Sequence, residues 1–183
     1  MALSKYEVSA RYGRALFDLA EEHQQTVAIN DELIALRQLL CDNSRAITML
    51  ADKNVAFEQK QQLLMTLQQP FTVFVQNLLQ MVYDYGHITN LLDIIADYQT
   101  RFDKSRGRIH ATVITAVPMS KTQEQAMQEA LKQRFNAQEI ILTSKIDANI
   151  VGGAITKVKD IIIDGSLTTR IANLKKYLLQ SLN

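Results

Sequence analysis

The chain has 183 residues, of which 47% are hydrophobic and 21% charged, a composition typical of a folded globular protein. No apolar stretch approaches the ~20 residues of a membrane-spanning helix, and the N-terminus lacks the apolar run of a secretory signal. Because Cys41 is the only cysteine, an internal disulfide and a cysteine-based metal cluster are both excluded. We therefore expect a cytoplasmic protein that associates with a membrane only through a partner.

The first part of the sequence predicts a series of short helices. Ser4 and Glu7 have the spacing of a capping box at a helix start, and apolar residues then recur at helical spacing. Asn54 is a candidate cap of the fourth helix, and Pro70 is expected to begin the fifth because proline fits the first turn. Gly86 is expected to end the fifth helix in the left-handed conformation. Six helices with brief connections predict a bundle.

The second part of the sequence has a different period. Residues 109–117 alternate in the way that is typical of a strand, and Ser120 with Gln123 forms a second capping box behind it. Residues 140–146 predict another strand, and residues 154–163 predict a hairpin that turns at Lys159-Asp160. Ser166 is expected to cap a last helix.

These patterns predict an α+β protein with two domains. A six-helix bundle over residues 1–105 is followed by a small α/β domain over residues 106–183, with a mixed sheet and a terminal helix. The two predicted domains also differ in net charge. Residues 1–105 carry 9 Lys and Arg against 13 Asp and Glu, whereas residues 106–183 carry 11 Lys and Arg against 6 Asp and Glu.

Patterns of catalytic or metal-binding residues are absent from the sequence. No Gly-x-Ser-x-Gly motif occurs, and no histidine belongs to a His-Glu-x-x-His motif. Three aspartates lack the every-second-residue spacing of a calcium loop: Asp147, Asp160 and Asp164. We therefore expect no catalytic residue, no metal, no cofactor and no small-molecule substrate.

The segment Val151–Lys157 superficially resembles a phosphate-binding loop. Such a loop needs four residues between its first glycine and the Gly-Lys pair, and it must open a helix. Here Gly152 and Gly153 are adjacent and a predicted hairpin follows. An enzyme with a phosphate site at these glycines is therefore the least favoured hypothesis, and a bend in the chain is the expected role.

The basic second half suggests an alternative function, a helical adaptor that binds nucleic acid. Lys175 and Lys176 lie together on the predicted last helix. The other basic residues are scattered, however, and no run combines aromatic with basic residues as single-strand binders do. We expect no nucleic acid partner and keep this function as the alternative.

Two segments resemble one protein family. Residues 11–20, Arg-Tyr-Gly-Arg-Ala-Leu-Phe-Asp-Leu-Ala, are similar to the opening helix of the ATP synthase delta subunit family, which includes the mitochondrial oligomycin-sensitivity-conferring protein. The family usually has alanine where this chain has Gly13, a departure that costs ~1 kcal/mol of helix propensity if the position is exposed.

The second segment is longer and resembles the C-terminal signature of the same family. Its matching residues include Asp147, Gly152, Gly153, Lys157, Asp164 and Ser166. Lys159 stands where a small residue is common. The resemblance covers the whole chain in length and order of elements, although the middle matches only in pattern.

The resemblance implies a non-catalytic stator subunit of a rotary proton-translocating F-type ATP synthase. In this family the N-terminal bundle binds N-terminal helices of the alpha subunits in the catalytic head. The C-terminal domain binds the C-terminal end of the b subunits in the peripheral stalk, so that the head resists rotation. The implied location is the cytoplasmic face of the cell membrane, as a peripheral part of the complex.

The family places the groove for the alpha-subunit helix between the first and fifth helices. The candidate groove residues are Tyr12, Ala15 and Leu19 on the first helix and Leu78, Met81 and Val82 on the fifth. Apolar stripes on helices usually face the core, so a purely structural role for most of them stays open. Met81 is the preferred contact because methionine adapts to partner surfaces.

Overall fold

The computed structural model describes residues 4–180, with side chains as far as residue 173. The chain divides into two compact units, Met1–Phe102 and Asp103–Asn183. The division follows Phe102, slightly before the boundary expected from the sequence. Within residues 4–180 no helix has the length and apolar character needed to span a membrane.

From residue 4 to residue 102, the N-terminal unit contains helices and no strand. A short 3₁₀ turn, Ile88–Asn90, leads directly into the last of them. The helices are α1 (Lys5–Glu22), α2 (Thr26–Asp42), α3 (Arg45–Ala51), α4 (Phe57–Gln68), α5 (Val73–Asp84) and α6 (Leu91–Ser105).

All six helices contribute side chains to one hydrophobic core. Tyr98 on α6 is fully buried in it, where its ring packs edge-to-face on Phe17 with centroids 5.7 Å apart. The Tyr98 hydroxyl donates a 3.0 Å hydrogen bond to the carbonyl of Thr26, so this buried polar group is satisfied. Burial raises the pKa of Tyr98.

The predicted start of α1 and end of α5 are confirmed. The Ser4 hydroxyl accepts from the Glu7 amide at 3.3 Å, and the Glu7 carboxylate accepts from the Ser4 amide at 2.7 Å. These two hydrogen bonds form the capping box. Gly86 follows α5 with a φ of 71°, the left-handed conformation expected of a glycine there.

The predicted starts of the fourth and fifth helices are wrong. Asn54 forms a turn with Asp52, whose carboxylate accepts the Asn54 amide at 2.9 Å, and α4 begins only at Phe57. Pro70 lies in a turn before α5. The amide of Thr72, next to the true start, donates at 3.0 Å to Glu32 on α2. A cap supplied by another helix leaves no local signal in the sequence.

Gly13 is buried rather than exposed, which changes the interpretation of this departure from the family. A β-carbon added to Gly13 would collide with the side chain of Asp97 on α6. Asp97 is held in place by an ion pair with Arg101 at 2.6 Å. The missing side chain therefore makes room for a charged residue between two helices.

We expect Gly13→Ala to lower the free energy of unfolding by about 1–2 kcal/mol, although alanine favours helix by up to ~1 kcal/mol. Chemical denaturation of the whole chain measures this. The double variant Gly13→Ala with Asp97→Ala should lose less stability than the sum of the two single losses, because Asp97→Ala removes the carboxylate, which is the closest group to the added β-carbon. Additive losses in the double variant would contradict the steric explanation.

The C-terminal unit contains the predicted mixed sheet. Its strands are β1 (Arg108–Thr115), β2 (Glu139–Ile146), β3 (Ala154–Val158) and β4 (Ile161–Asp164), and its helices are α7 (Lys121–Phe135) and α8 (Leu167–Gln180). The strand order is β2-β1-β3-β4, in which β1 and β2 are parallel and the other pairs antiparallel. Helix α7 connects the parallel strands, as parallel pairing requires.

A second, smaller core lies between the sheet and α7. It is centred on Leu131 of α7 and on Ala111, Ile140 and Val158 of three strands. The Ser120–Gln123 capping box at the start of α7 is confirmed, with the Ser120 hydroxyl accepting the Gln123 amide at 3.3 Å. The predicted hairpin is confirmed as well, and Lys159 has a φ of 51° in its turn.

Candidate helix-binding groove and C-terminal signature

Helices α1 and α5 lie side by side and run in opposite directions. The ring of Tyr12, in the first half of α1, is 6.0 Å from the ring of His87, just beyond the end of α5. The ring of His23, at the end of α1, is 5.2 Å from Phe74 near the start of α5. These two pairs mark the ends of a groove along both helices, which we call the α1/α5 groove.

The structure divides the six candidate residues between the surface and the core. Val82 is 0% exposed and Leu78 is also buried, so both belong to the core of the unit. Tyr12 is half-buried and packs against that core.

The remaining candidates are accessible from outside. Leu19 is 38% exposed, Met81 is 49% exposed and Ala15 is exposed. The α1/α5 groove therefore has an accessible apolar surface above a buried floor.

Tyr85 is an accessible groove residue that sequence reasoning missed. It is 69% exposed and lies directly after α5, close enough to Tyr12 that its charge, with burial as the larger cause, raises the pKa of Tyr12. The spacing Phe74, Leu78, Met81, Tyr85 follows one helical face and is the signal that could have found it.

Charged side chains border this apolar strip along α1. Arg14 and Asp18 form an ion pair of 3.4 Å on the exposed side of the helix. An apolar strip between two helices with a charged border is the surface that an amphipathic helix binds. Binding of a helix, rather than chemistry on a small molecule, is what this arrangement supports.

The C-terminal signature forms a backbone clasp between two segments of the second unit. The Gly165 amide donates to the Ala154 carbonyl at 2.9 Å, and the Leu167 amide donates to the Gly152 carbonyl at 2.9 Å. We call residues 152–154 and 165–167 the glycine clasp. It joins the start of β3 to the start of α8.

Gly153 is the tightest point of the glycine clasp. Its φ is 82°, and a β-carbon there would run into the carbonyl oxygen of Gly165 and the α-carbon of Ser166. Strand β3 follows at Ala154, so these glycines do not open a helix as a phosphate loop must. The phosphate-site hypothesis therefore has no structural basis here.

The polar signature residues stabilise turns. The Asp147 carboxylate accepts the Asn149 amide at 2.9 Å. The Asp164 carboxylate accepts the Ser166 amide at 2.9 Å and the Thr169 hydroxyl at 2.7 Å, and these hydrogen bonds lower the pKa of Asp164. The Ser166 hydroxyl accepts the Thr169 amide at 3.2 Å, which confirms Ser166 as the cap of α8.

Lys157 is the signature residue that lies within a strand rather than in these turns, and it is exposed on β3. Lys175 and Lys176, noted for the nucleic-acid alternative, have side chains outside the described residues. Among residues 4–180, no group of three or more His, Cys, Asp or Glu side chains could hold a metal ion.

An apolar groove of about 640 Å³ lies beside the glycine clasp in the same unit. It runs between the loop after β1, one side of α7 and residues 151–154. Its apolar walls include Val117, Met119, Met127 and Val151. Val117 and Val151 are both largely exposed, so this surface is also accessible to a partner.

These features define the class of protein, one with a helical unit and a small α/β unit, each of which has an accessible apolar groove. A sequence profile of the ATP synthase delta (OSCP) subunit family matches residues 8–178. The ATP synthase subunit delta of Lactiplantibacillus plantarum is 37% identical over 181 residues, covering 99% of this chain and all of that protein. The ATP synthase subunit delta of Limosilactobacillus reuteri is 38% identical over 180 residues, covering 98% of this chain and all of that protein.

A solved structure shows the same fold. One chain of the Toxoplasma gondii mitochondrial ATP synthase hexamer matches with a TM-score of 0.69 at 20% identity, covering 93% of this chain and 97% of that one. The protein described here belongs to the ATP synthase delta (OSCP) subunit family. It is a non-catalytic stator subunit of the F-type ATP synthase, a component of the peripheral stalk. Nothing in these comparisons supports the nucleic-acid alternative.

Proposed function

We propose that this chain joins the catalytic head of a proton-translocating ATP synthase to the C-terminal end of the b subunits. Its six α-helices act as one bundle that binds an N-terminal helix of the alpha subunit in the α1/α5 groove. Residues 106–183 bind the b subunits. The complex places the chain at the cytoplasmic face of the cell membrane. The observation that carries this proposal is the accessible apolar strip of Leu19, Met81 and Tyr85.

The geometry of the α1/α5 groove supports binding of a helix. The groove spans residues 12–23, from Tyr12 on α1 to His23 directly after it, which at 1.5 Å per residue is roughly 17 Å, or three turns of a partner helix. Ala15 at its centre lets a partner backbone approach closely. Met81 and Leu19 on opposite walls can pack on the apolar face of that helix.

The C-terminal unit offers its own apolar surface for the stalk. The groove beside the glycine clasp is large enough to accept side chains of an amphipathic segment, with Val117 and Val151 at its rim. Ile161 and Ile162 are also exposed on β4. The groove is a contiguous apolar surface, unlike single exposed side chains, and such surfaces mark sites that a partner covers.

Two separate binding surfaces suit a stator. The rotating shaft exerts torque on the head, so the head turns uselessly unless a link to the stalk holds it. A link that binds one partner at each unit transmits that load without any chemistry of its own. The proposed function therefore needs simultaneous binding at both ends.

Calorimetry with the complete chain tests the proposal. A synthetic peptide of the cognate alpha-subunit N-terminus and a recombinant C-terminal segment of the b subunit should each bind saturably. Each should bind equally well when the other is already present. Competition between the two would contradict separate surfaces, and absence of peptide binding to folded chain would contradict the role of the α1/α5 groove.

A further inference from the structure

The two walls of the α1/α5 groove are fastened to different neighbours. Helix α1 is tied to α6, where Lys5 forms a 2.7 Å ion pair with Asp93. Helix α5 is tied to α4, where the side chain of Gln68 donates to the carbonyl of Gln76 at 3.0 Å, and its start is tied to α2. Among the described residues 4–173, no hydrogen bond or ion pair joins α1 directly to α5. The position of each wall therefore depends on helices behind it.

Glu32 of α2 holds the start of α5. One oxygen of its carboxylate accepts the Thr72 amide at 3.0 Å and the Thr72 hydroxyl at 2.9 Å, and we call this pair of hydrogen bonds the α2 clamp. The Thr72 hydroxyl caps no amide of its own helix, so the carboxylate of Glu32 takes the place of the usual cap. A negative charge is also favourable at a helix N-terminus. Core packing adds little at this point, because Thr72 and Val73 are both exposed.

Phe74 connects the α2 clamp to the groove. It follows Thr72 by two residues, and its ring is 5.2 Å from the ring of His23 at the end of α1. The other end of α5 is held locally, since the amide of His87 donates to the carbonyl of Val82 at 2.8 Å. Loss of the α2 clamp should therefore free the start of α5 and leave its end in place.

On this basis, and resting on the proposed function, we infer that Glu32 is a positioning residue of the α1/α5 groove. It acts through Thr72, and holds the first turn of α5 at the distance from α1 at which the groove accepts a helix. A chain with a free α5 start adopts other positions for part of the time. Its apparent affinity for the partner then falls in proportion to the fraction that remains competent to bind.

Nuclear Overhauser contacts between aromatic rings of the complete chain test this inference without a partner. Glu32→Ala should weaken or abolish the contact between His23 and Phe74, and leave the contact between Tyr12 and His87 unchanged. Glu32→Gln keeps an oxygen acceptor and should retain both contacts. Two unchanged contacts in Glu32→Ala would overturn the inference, and so would equal weakening of both, which indicates general loosening. Because no peptide is present, this result does not depend on the proposed function.

The affinity for the alpha-subunit peptide provides the second test. Glu32→Ala should weaken binding about threefold to tenfold, which corresponds to a competent fraction of roughly a third to a tenth. Glu32→Gln should bind nearly as tightly as the original chain. The matched control is Asp52→Ala, which removes a carboxylate that accepts the amide of Asn54 at 2.9 Å, outside α1 and α5, and it should leave affinity unchanged.

The outcomes separate the inference from the proposed function. If Glu32→Ala binds the peptide as tightly as the original chain, or if Asp52→Ala weakens binding equally, the positioning role is overturned and the proposed function stands. Absence of binding by the original chain would overturn the proposed function, and with it the role of Glu32 in binding.

Discussion

Replacing Gly153 with alanine should destabilise the C-terminal unit by about 2–4 kcal/mol, one of the largest effects expected from a single methyl group in this chain. The left-handed backbone at Gly153 costs an L-residue roughly 1–2 kcal/mol. The added β-carbon also meets the backbone of Gly165 and Ser166, which cannot move aside as a flexible side chain can. The glycine clasp must open to accept it.

Gly152 provides the matched control for this prediction. Its β-carbon would meet only the end of the Leu167 side chain, and its backbone has no positive φ. We expect Gly152→Ala to cost less than about 1 kcal/mol. Hydrogen exchange of the amides in β1 and β3 measures the stability of this unit separately from the helical one. Equal loss of protection in both variants would contradict the proposed strain at Gly153.

Met81→Glu should weaken binding of the alpha-subunit peptide at least about thirtyfold, equivalent to ~2 kcal/mol. The partner helix would bury a carboxylate within the apolar strip of Leu19, Met81 and Tyr85, and burying a charge among apolar side chains is costly. Because Met81 is 49% exposed in the free chain, the substitution should leave the fold intact. Calorimetry measures the affinity, and circular dichroism verifies the fold.

Met65→Glu is the control for this substitution. Met65 is similarly exposed but lies on α4, outside the α1/α5 groove. Binding should be unchanged in Met65→Glu. If both variants bind the peptide as tightly as the original chain, the partner helix lies elsewhere on the bundle.

Local signals in the sequence predicted much of the fold. The two capping boxes, at Ser4 and Ser120, are pairs of residues that satisfy each other's backbone groups, so four residues of sequence contain the whole interaction. The alternation in β1 and the turn at Lys159 are local in the same sense. Each was confirmed because no distant residue competes with it.

Interactions between distant residues explain the failures. The start of α5 depends on Glu32, which is 40 positions away in sequence from Thr72. The role of Gly13 depends on Asp97, a residue on another helix. Neither relation has a periodic signal, so sequence reasoning placed a helix start at Pro70 and interpreted Gly13 as a loss of helix propensity.

The same limit applies to the candidate groove. Helical spacing identified the apolar stripe on α5, but the stripe is wider than the surface that stays accessible. Packing in the common core covers Val82 and Leu78 and leaves Met81 and Tyr85 outside. Which edge of a stripe remains exposed depends on how the neighbouring helices pack, and the period alone does not contain that information.

The most direct test of the stator function is recovery of catalytic heads on membranes depleted of this subunit. The original chain should restore binding of the heads to the membranes and restore ATP-driven proton pumping. Met81→Glu should restore neither at the same concentration, while Met65→Glu should match the original chain. Full restoration by Met81→Glu, or heads that bind and pump without any added chain, would contradict the account.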